Sequence, residues 1–404
     1  MLSVAEALDR VLAPLTAIGH EQVSLGEAHG RVLAVDVVSR LTHPPAPVSA
    51  MDGYAVRAAD IAGPPVDLAV AGESRAGARF DGVVDAGRAV RIFTGAVVPE
   101  GADAIVIQED TERNGDSVRV LEGVAAGTFI RDAGLDIREG DVLVHAGRRL
   151  TARDLGVIAS GNHAEVTVYR RPRIAILATG DELVMPGGEI GPDQIVSSNS
   201  VALAGFVTAL GGAPVSLGIA RDTAESLKER LSGLGDADML VTIGGASVGD
   251  YDLVASTLGS EGLKLDFHKV AMRPGKPLIS GTFGGVPMLG LPGNPVSVGV
   301  TSCLFLTPAV GVLSGVGPVG PEIVKARLGC NLGPNDRRQD YLRSRLERRP
   351  EGDLVAIPFD RQDSAMLAAF ARADGLVLRP PHAPAAAAGS DVDVVLFPGG
   401  PTAF

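Results

Sequence analysis

Apolar residues at the start of the chain recur at helical spacing. Val4, Ala7, Leu8, Val11 and Leu12 share one face and Ser3 can cap the element, so a helix is predicted over residues 2–15. A strand-like stretch follows near Arg31–Val38. The prolines of LTHPPAPVSAMDGYAV argue against a long helix before Met51, so this segment reads as an ordered loop. From Tyr54 to Asp110 the period shortens. VDLAVAG, AVRIFTG and DAIVIQED are β-like runs punctuated by Gly and Pro, the pattern of a small barrel-like all-β domain. LTARDLGVIASGN predicts a helix with Thr151 as N-cap, expected to pack with the N-terminal segment in one discontinuous domain.

Beyond residue 172 strands alternate with crossover-length helices. PRIAILATG, APVSLGI, DMLVTIGG, LKLDFHKVAM and VPMLGLPGN read as strands. SNSVALAGFVTALGG, DTAESLKERLSGL, DLVASTLGS and the apolar stretch after Asn294 read as helices. This alternation predicts a three-layer α/β domain with a mostly parallel sheet. The last segments, from EIVKARLG to VDVVLF, are β-like with one short helix in SAMLAAFARA. The expected fold is therefore multidomain α/β. A discontinuous domain covers 1–42 plus 134–171, a small β-rich domain 43–133, the α/β domain 172–314 and a C-terminal β-rich domain 315–404.

Composition narrows the function. A chain of 404 residues exceeds the usual size of one core. The net charge of -12 and the 4% aromatic content argue against a nucleic-acid partner, which calls for a basic footprint or stacking rings. Cys303 and Cys330 have no metal-binding spacing, and Cys303 reads as a buried thiol. The start MLSVAEALDRV lacks a basic region followed by an apolar core, and no run is read as approaching 18 uncharged apolar residues. A cytoplasmic protein with no membrane partner is expected.

Ligands of open α/β sheets bind beyond the carboxyl ends of the strands, and the loops placed there carry unusual residues. ATGDEL sets Asp181 and Glu182 at a strand end after Gly180. Two adjacent carboxylates in a cleft call for a cation or a donor. In TIGGASVGDYD, Gly244, Gly245 and Gly249 let backbone amides approach an anion, and Ser247 adds a hydroxyl. Asp250 can cap the following helix, or with Asp252 can hold Mg²⁺. In MRPGKP, Arg273 and Lys276 flank a rigid turn and suit an oxyanion. Pro292, Gly293, Asn294 and Pro295 form a turn before a helix whose first turn holds Ser297. In the second domain Asp52, Thr94, Glu109 and Asp110 stand out without specifying a reaction. His268 reads as structural.

Taken together, PPAPVSAMDGYAV, RIFTGAVVPEGADAIVIQED, IRDAGLDIREGD, ILATGDELV, TIGGASVGDYD, AMRPGKPL and LGLPGNPVS resemble the MoeA family, which is also represented by the E domain of plant Cnx proteins and of gephyrin. The ordered combination, spanning about 43 to 298, is what makes the resemblance specific. It implies a four-domain, L-shaped subunit and a homodimer whose active site joins the α/β domain of one chain to the second domain of the other. The implied reaction is that of a molybdopterin molybdenumtransferase. Adenylylated molybdopterin and molybdate are converted, with Mg²⁺, to molybdenum cofactor and AMP.

Carried over motif by motif, the implied catalytic group is Asp52, Thr94, Glu182 and Asp250. Substrate binding falls to Asp136, Gly244, Gly245, Ser247, Asp252, Arg273, Lys276, Pro292, Asn294, Pro295 and Ser297. Glu182, Asp250 and Asp252 are implied for the metal. A transient contact with the molybdopterin adenylyltransferase is a further implied partnership. The sequence departs from the family at Arg273, where lysine is usual, and at Asp363, where glycine is usual in what reads as a surface turn. A molybdopterin adenylyltransferase shares the α/β domain and glycine loop, but the long terminal additions favour the insertion reaction. A gephyrin-like scaffold is the other alternative, though no long linker accompanies it.

Overall fold

The computed structural model describes residues 1–245, 263–350 and 352–397. The predicted helix DLVASTLGS lies outside them, as do Ser247, Asp250 and Asp252. At the centre is a six-stranded sheet in the order Ala213–Ala220, Arg173–Thr179, Met239–Ile243, Val286–Leu291, Ile279–Phe283, Leu263–Phe267. The first four strands are parallel, Ile279–Phe283 runs antiparallel to them, and Leu263–Phe267, antiparallel to Ile279–Phe283, again runs in the direction of the first four. Ile174 to Thr179 are all buried, as expected of a parallel strand covered on both faces. Leu203, Phe206 and Val207 of the helix Ser198–Ala209 cover one face, and Leu227 and Leu231 of Ala224–Leu231 cover the other.

The strand Ile279–Phe283 was not among those expected. It pairs with Val286–Leu291 through Gly284 and Gly285, both at positive φ (56° and 86°), which the favoured two-residue hairpin turns require. That glycine pair was the available signal.

The N-terminal helix forms as Val4–Leu12, closed by a capping box between Ser3 and Glu6. Its buried residues Ala7 and Val11 join the core of the α/β domain beside Ile174 and Phe206, not the discontinuous domain to which residues 1–42 were assigned. Leu2 pairs with Val270, and Ala271 donates its N–H to the Leu2 carbonyl at 2.8 Å. Periodicity shows that a helix face is buried but not what covers it. In the remainder of the N-terminal region His20–Ser24 pairs with Glu165–Tyr169, and Val37–Val38 with Val142–Val144. Leu33, Leu150, Ile158 and Val168 fill the core between them, and the helix Ala152–Ser160 carries a Thr151–Asp154 capping box.

The small β-rich domain is a six-stranded sheet in the order Ala104–Ile107, Gly53–Val56, Arg88–Ile92, Val66–Ser74, Ser117–Val120, Thr111–Asn114, with apolar clusters on both faces. The closed barrel is the C-terminal domain. Gln339–Arg348, Leu354–Pro358, Ile323–Leu328, Asp391–Leu396 and Gly375–Arg379 pair in turn, and the last returns to the first. A short strand from the α/β domain, Met272–Arg273, adds to the Gln339 end in parallel.

One sequence expectation needs correction. Pro295–Leu313 is a 19-residue stretch that is long and apolar enough to cross a membrane by length and composition, yet 83% of its most apolar window is buried inside the protein. It is the central core helix, packing with Ile176, Phe206 and Leu289, which accounts for its apolarity. It widens to a π turn over Ser302–Leu306, just ahead of Pro308, whose ring and missing N–H break the regular ladder. Cys303 lies in that turn, and burial pushes its thiol up to about 12, in keeping with a structural role.

Candidate active site

Four loops at the carboxyl ends of the parallel strands meet at a cavity of about 730 Å³. The first follows Arg173–Thr179. Gly180 has φ 145°, and a Cβ there would lie 2.4 Å from Oε2 of Glu182, so the Glu182 carboxylate folds into space that only glycine leaves open. The two adjacent acids part company. Asp181 Oδ1 accepts from the Asp222 amide at 3.2 Å, and its carbonyl accepts from Arg221 at 2.6 Å. Glu182 is exposed on the cavity rim, and no donor among the described residues bonds its carboxylate.

The second loop supplies Gly244 and Gly245, with φ of 91° and 63°. A Cβ on Gly244 would meet the Thr179 carbonyl at 2.7 Å, so the two strand ends are drawn together. In the third loop Lys276 is half-buried and lines the cavity, and it makes no ion pair or side-chain hydrogen bond among the described residues. Arg273 also reaches the cavity, but its guanidinium pairs with Asp340 and lies 3.6 Å from Asp336. Those acids hold its pKa above the usual arginine range. The two cations of MRPGKP are therefore not equivalent, contrary to the sequence expectation.

The fourth loop brings Pro292, Gly293, Asn294 and Ser297 to the cavity, whereas Pro295 faces a separate apolar pocket with Leu203 and Phe370. Asn199 donates to the Gly293 carbonyl at 2.7 Å. The C-terminal domain completes this wall, which the sequence reading missed. Asn294 donates to Ser364 Oγ at 2.8 Å, and the Val296 amide donates to the Ser364 carbonyl at 3.0 Å. One amide of the helix start is thus capped by another domain and unavailable to an anion.

Arg338, Gln362, Asp363 and Ser364 all line the cavity. Asp363 is exposed at a turn, as expected, but that turn borders the cavity, and its carboxylate caps the turn by accepting from the Ala365 amide at 2.9 Å. Arg343, 1% exposed, donates to the carbonyls of Asp363 and Arg361 at 2.7 and 3.1 Å and so anchors this turn from below. The only sequence signal was the turn-plus-helix resemblance of RQDSAMLAAF.

The remaining candidates lie elsewhere. Asp52, Thr94 and Asp136 do not line this cavity. Thr94 donates from both its amide and its hydroxyl to Asp52 Oδ1, each at 2.8 Å, and these bonds hold the Asp52 carboxyl below its ordinary value. Arg91 lies over the rings of Phe93 and Tyr54, at 4.8 and 5.2 Å. Asp136 is exposed in a turn whose amides at 136 and 137 both donate to the His43 carbonyl at 3.2 Å. A second cavity of about 780 Å³, bordered by Arg149, Val310, Arg372 and Phe397, contains none of the motif residues. His268 stays outside the site, its pKa lowered first by burial and then by Lys269.

The chain matches known proteins along nearly its whole length. Residues 2–161 match the MoeA N-terminal region (domain I and II), 175–311 a probable molybdopterin binding domain, and 325–397 the MoeA C-terminal region (domain IV). It is 36% identical over 402 residues to molybdopterin molybdenumtransferase 2 of Mycobacterium tuberculosis, covering 97% of this chain and 96% of that one. It is 41% identical over 331 residues to a molybdopterin molybdenumtransferase of Nostoc sp., covering 80% and 76%. A crystal structure of a molybdopterin biosynthesis MoeA protein from Pyrococcus horikosii superposes with a TM-score of 0.86 at 33% identity, covering 98% of this chain and 99% of that one. On domain content, identity and fold together, this chain belongs to the MoeA family of molybdopterin molybdenumtransferases.

Proposed function

We propose that the protein takes adenylylated molybdopterin and molybdate, cleaves the link to AMP and releases molybdenum cofactor. The observation that carries this reading is the convergence of Gly244, Gly245, Glu182 and Lys276 on one cavity of about 730 Å³ in a chain of this family. The positive-φ glycines expose backbone to a phosphate or oxyanion without side-chain interference. Lys276 supplies a compact charge that no acid among the described residues neutralises. Such preorganised donors stabilise the charge that develops on phosphate oxygens as the phosphorus–oxygen bond to AMP breaks.

The described acids around the cavity are Glu182, Asp222 and Asp363. Among the described residues no three His, Cys, Asp or Glu gather closely enough to form a metal cage. Mg²⁺ does not require one. It keeps several waters and takes one or two carboxylates together with substrate phosphates. Glu182, with no competing donor among the described residues, fits that role, with Asp250 or Asp252 of the glycine loop as the motif's candidate partner. Mg²⁺ bound there would neutralise phosphate charge. A negative carboxylate is otherwise ill suited to touch molybdate, so Glu182 also suits the orientation of a water or a pterin amine.

Asp52, Thr94 and Asp136 are family motif residues that stand apart from the cavity in this chain, which favours a homodimer in which a partner's second domain completes the site. The deciding experiment is reconstitution with adenylylated molybdopterin, molybdate and Mg²⁺, with release of AMP and activation of an apo-molybdoenzyme as readouts. Consumption of ATP and free molybdopterin instead would favour the adenylyltransferase reading and overturn this one.

A further inference from the structure

We infer that Arg273 is a positioning residue: its ion pair with Asp340 fastens the Lys276 loop to the C-terminal barrel, and Arg273 itself does not bind the oxyanion. The backbone comes first. Met272 and Arg273 pair in parallel with Gln339 and Asp340, and the Gln339 amide donates to the Ala271 carbonyl at 2.9 Å. The side chain then repeats the connection. One guanidinium nitrogen bonds Asp340 Oδ2 and lies 3.4 Å from Asn335 Oδ1, and the other lies 3.6 Å from Asp336.

The partners are themselves fixed. Asn335 donates to the carbonyls of Arg338 and Arg379 at 2.8 and 3.0 Å. Asp336 accepts from the Arg338 amide and side chain at 2.8 and 2.9 Å. The Asp340 side chain is only 5% exposed, and its Oδ1 has no hydrogen-bond partner among the described residues, so of these Arg273 is the group that compensates this buried acid.

This geometry decides between two roles. A guanidinium shared by two acids adds little net positive field to the cavity, and leaving Asp340 for an oxyanion would strand a buried carboxylate. The planar fork spans Asp340, Asp336 and Asn335 at once, which a single ammonium cannot do. The loop closes three residues later, where the Val270 amide donates to the Lys276 carbonyl at 3.0 Å. Fastening one end of this short turn therefore sets where the Lys276 side chain enters the cavity. Arg338, on the cavity wall, is held by the same Asp336.

The test compares Arg273→Gln, Asp340→Asn and the double variant in the full-length protein. Amide hydrogen exchange over residues 270–278 is measured without substrate, alongside molybdate affinity and the rate of AMP release. Each single variant is expected to speed exchange over 270–278 and to slow AMP release by about 10- to 100-fold through misplacement of Lys276. The double variant should lose no more than the worse single one, because the two groups act as a unit.

Additive losses overturn the inference. So does an Asp340→Asn protein that keeps or improves molybdate affinity while Arg273→Gln loses it, since a freed Arg273 would then be binding the anion directly. If Asp340→Asn does not fold, Arg273→Gln decides alone, and unchanged exchange over 270–278 refutes the role. The inference rests on the transferase reading only for the AMP and molybdate measurements. A wild type that releases no AMP, with exchange responding as expected, refutes that reading and leaves the clamp standing.

Discussion

Thr94 donates two hydrogen bonds to one oxygen of Asp52, from its backbone amide and from its hydroxyl, each 2.8 Å long. Both stabilise the ionised carboxylate, so Asp52 titrates below its ordinary value, with the backbone bond the larger cause. A carboxylate whose pKa is depressed on folding contributes stability above its unfolded value and loses it as pH falls through the folded one. The contribution of Asp52 is therefore complete at neutral pH and fades below about pH 4. Thr94→Val removes one donor of the two. The Asp52 midpoint should rise yet stay below that of a free aspartate, and Thr94→Ser should restore it. Carbon-detected NMR titration of the carboxyl group reads this directly, and a midpoint that does not move in Thr94→Val would show that the hydroxyl bond is absent in solution.

The separation of Asp52 from the cavity leads to a complementation test. If a partner's second domain completes each site, Asp52→Asn and Glu182→Gln homodimers should both be poorly active. Each mixed dimer should recover one intact site, about half the activity of a wild-type dimer, since one of its two sites is then built from two unaltered halves. Light scattering should report twice 41.3 kDa. A fully active monomer, or mixtures no better than their parents, would refute the shared site.

Glu182 tests the acid side of the cavity. Glu182→Gln keeps its shape but removes its charge. If the carboxylate acts mainly in the transition state, turnover should fall roughly 10²- to 10⁴-fold with little change in pterin affinity. Gly180→Ala should imitate part of this loss, because its Cβ would be 2.4 Å from Glu182 Oε2 and would push the carboxylate aside. Single-turnover AMP release with a parallel binding titration measures both variants. Near-normal turnover in a folded Glu182→Gln protein removes the residue from the site.

Lys276 tests the anion side. Lys276→Ala should weaken molybdate or pterin-phosphate binding by about 10- to 100-fold, the range for one charge-assisted hydrogen bond, with the melting temperature nearly unchanged. The effect should shrink as ionic strength rises. Calorimetric titration at two salt concentrations is the measurement, and equal affinity for both ligands in wild type and variant would refute the role.

Much of this was legible locally. Ser3 with Glu6 and Thr151 with Asp154 announce helix starts because a capping box is written within four residues. ILATG and VTIGG announce strand ends because a buried parallel strand is continuously apolar and its turn needs positive-φ glycine. Ordered motifs could therefore name the family and the loops that carry Glu182, Gly244 and Lys276. What depends on sequence-distant partners was not legible. Arg273 and Lys276 look alike as two cations on one turn, and only the approach of Asp340 and Asp336, more than sixty residues away, takes one of them into an ion pair. Ser364 reads as an ordinary turn residue until the barrel docks and its carbonyl caps the helix at Val296. The Val4–Leu12 stripe specifies that a face is buried, while the α/β core, by offering the larger apolar surface, decides where. Backbone preference acts within a few residues and is written in the chain; burial, desolvation and charge pairing act between whichever surfaces the fold brings together, and those exist only after it has formed.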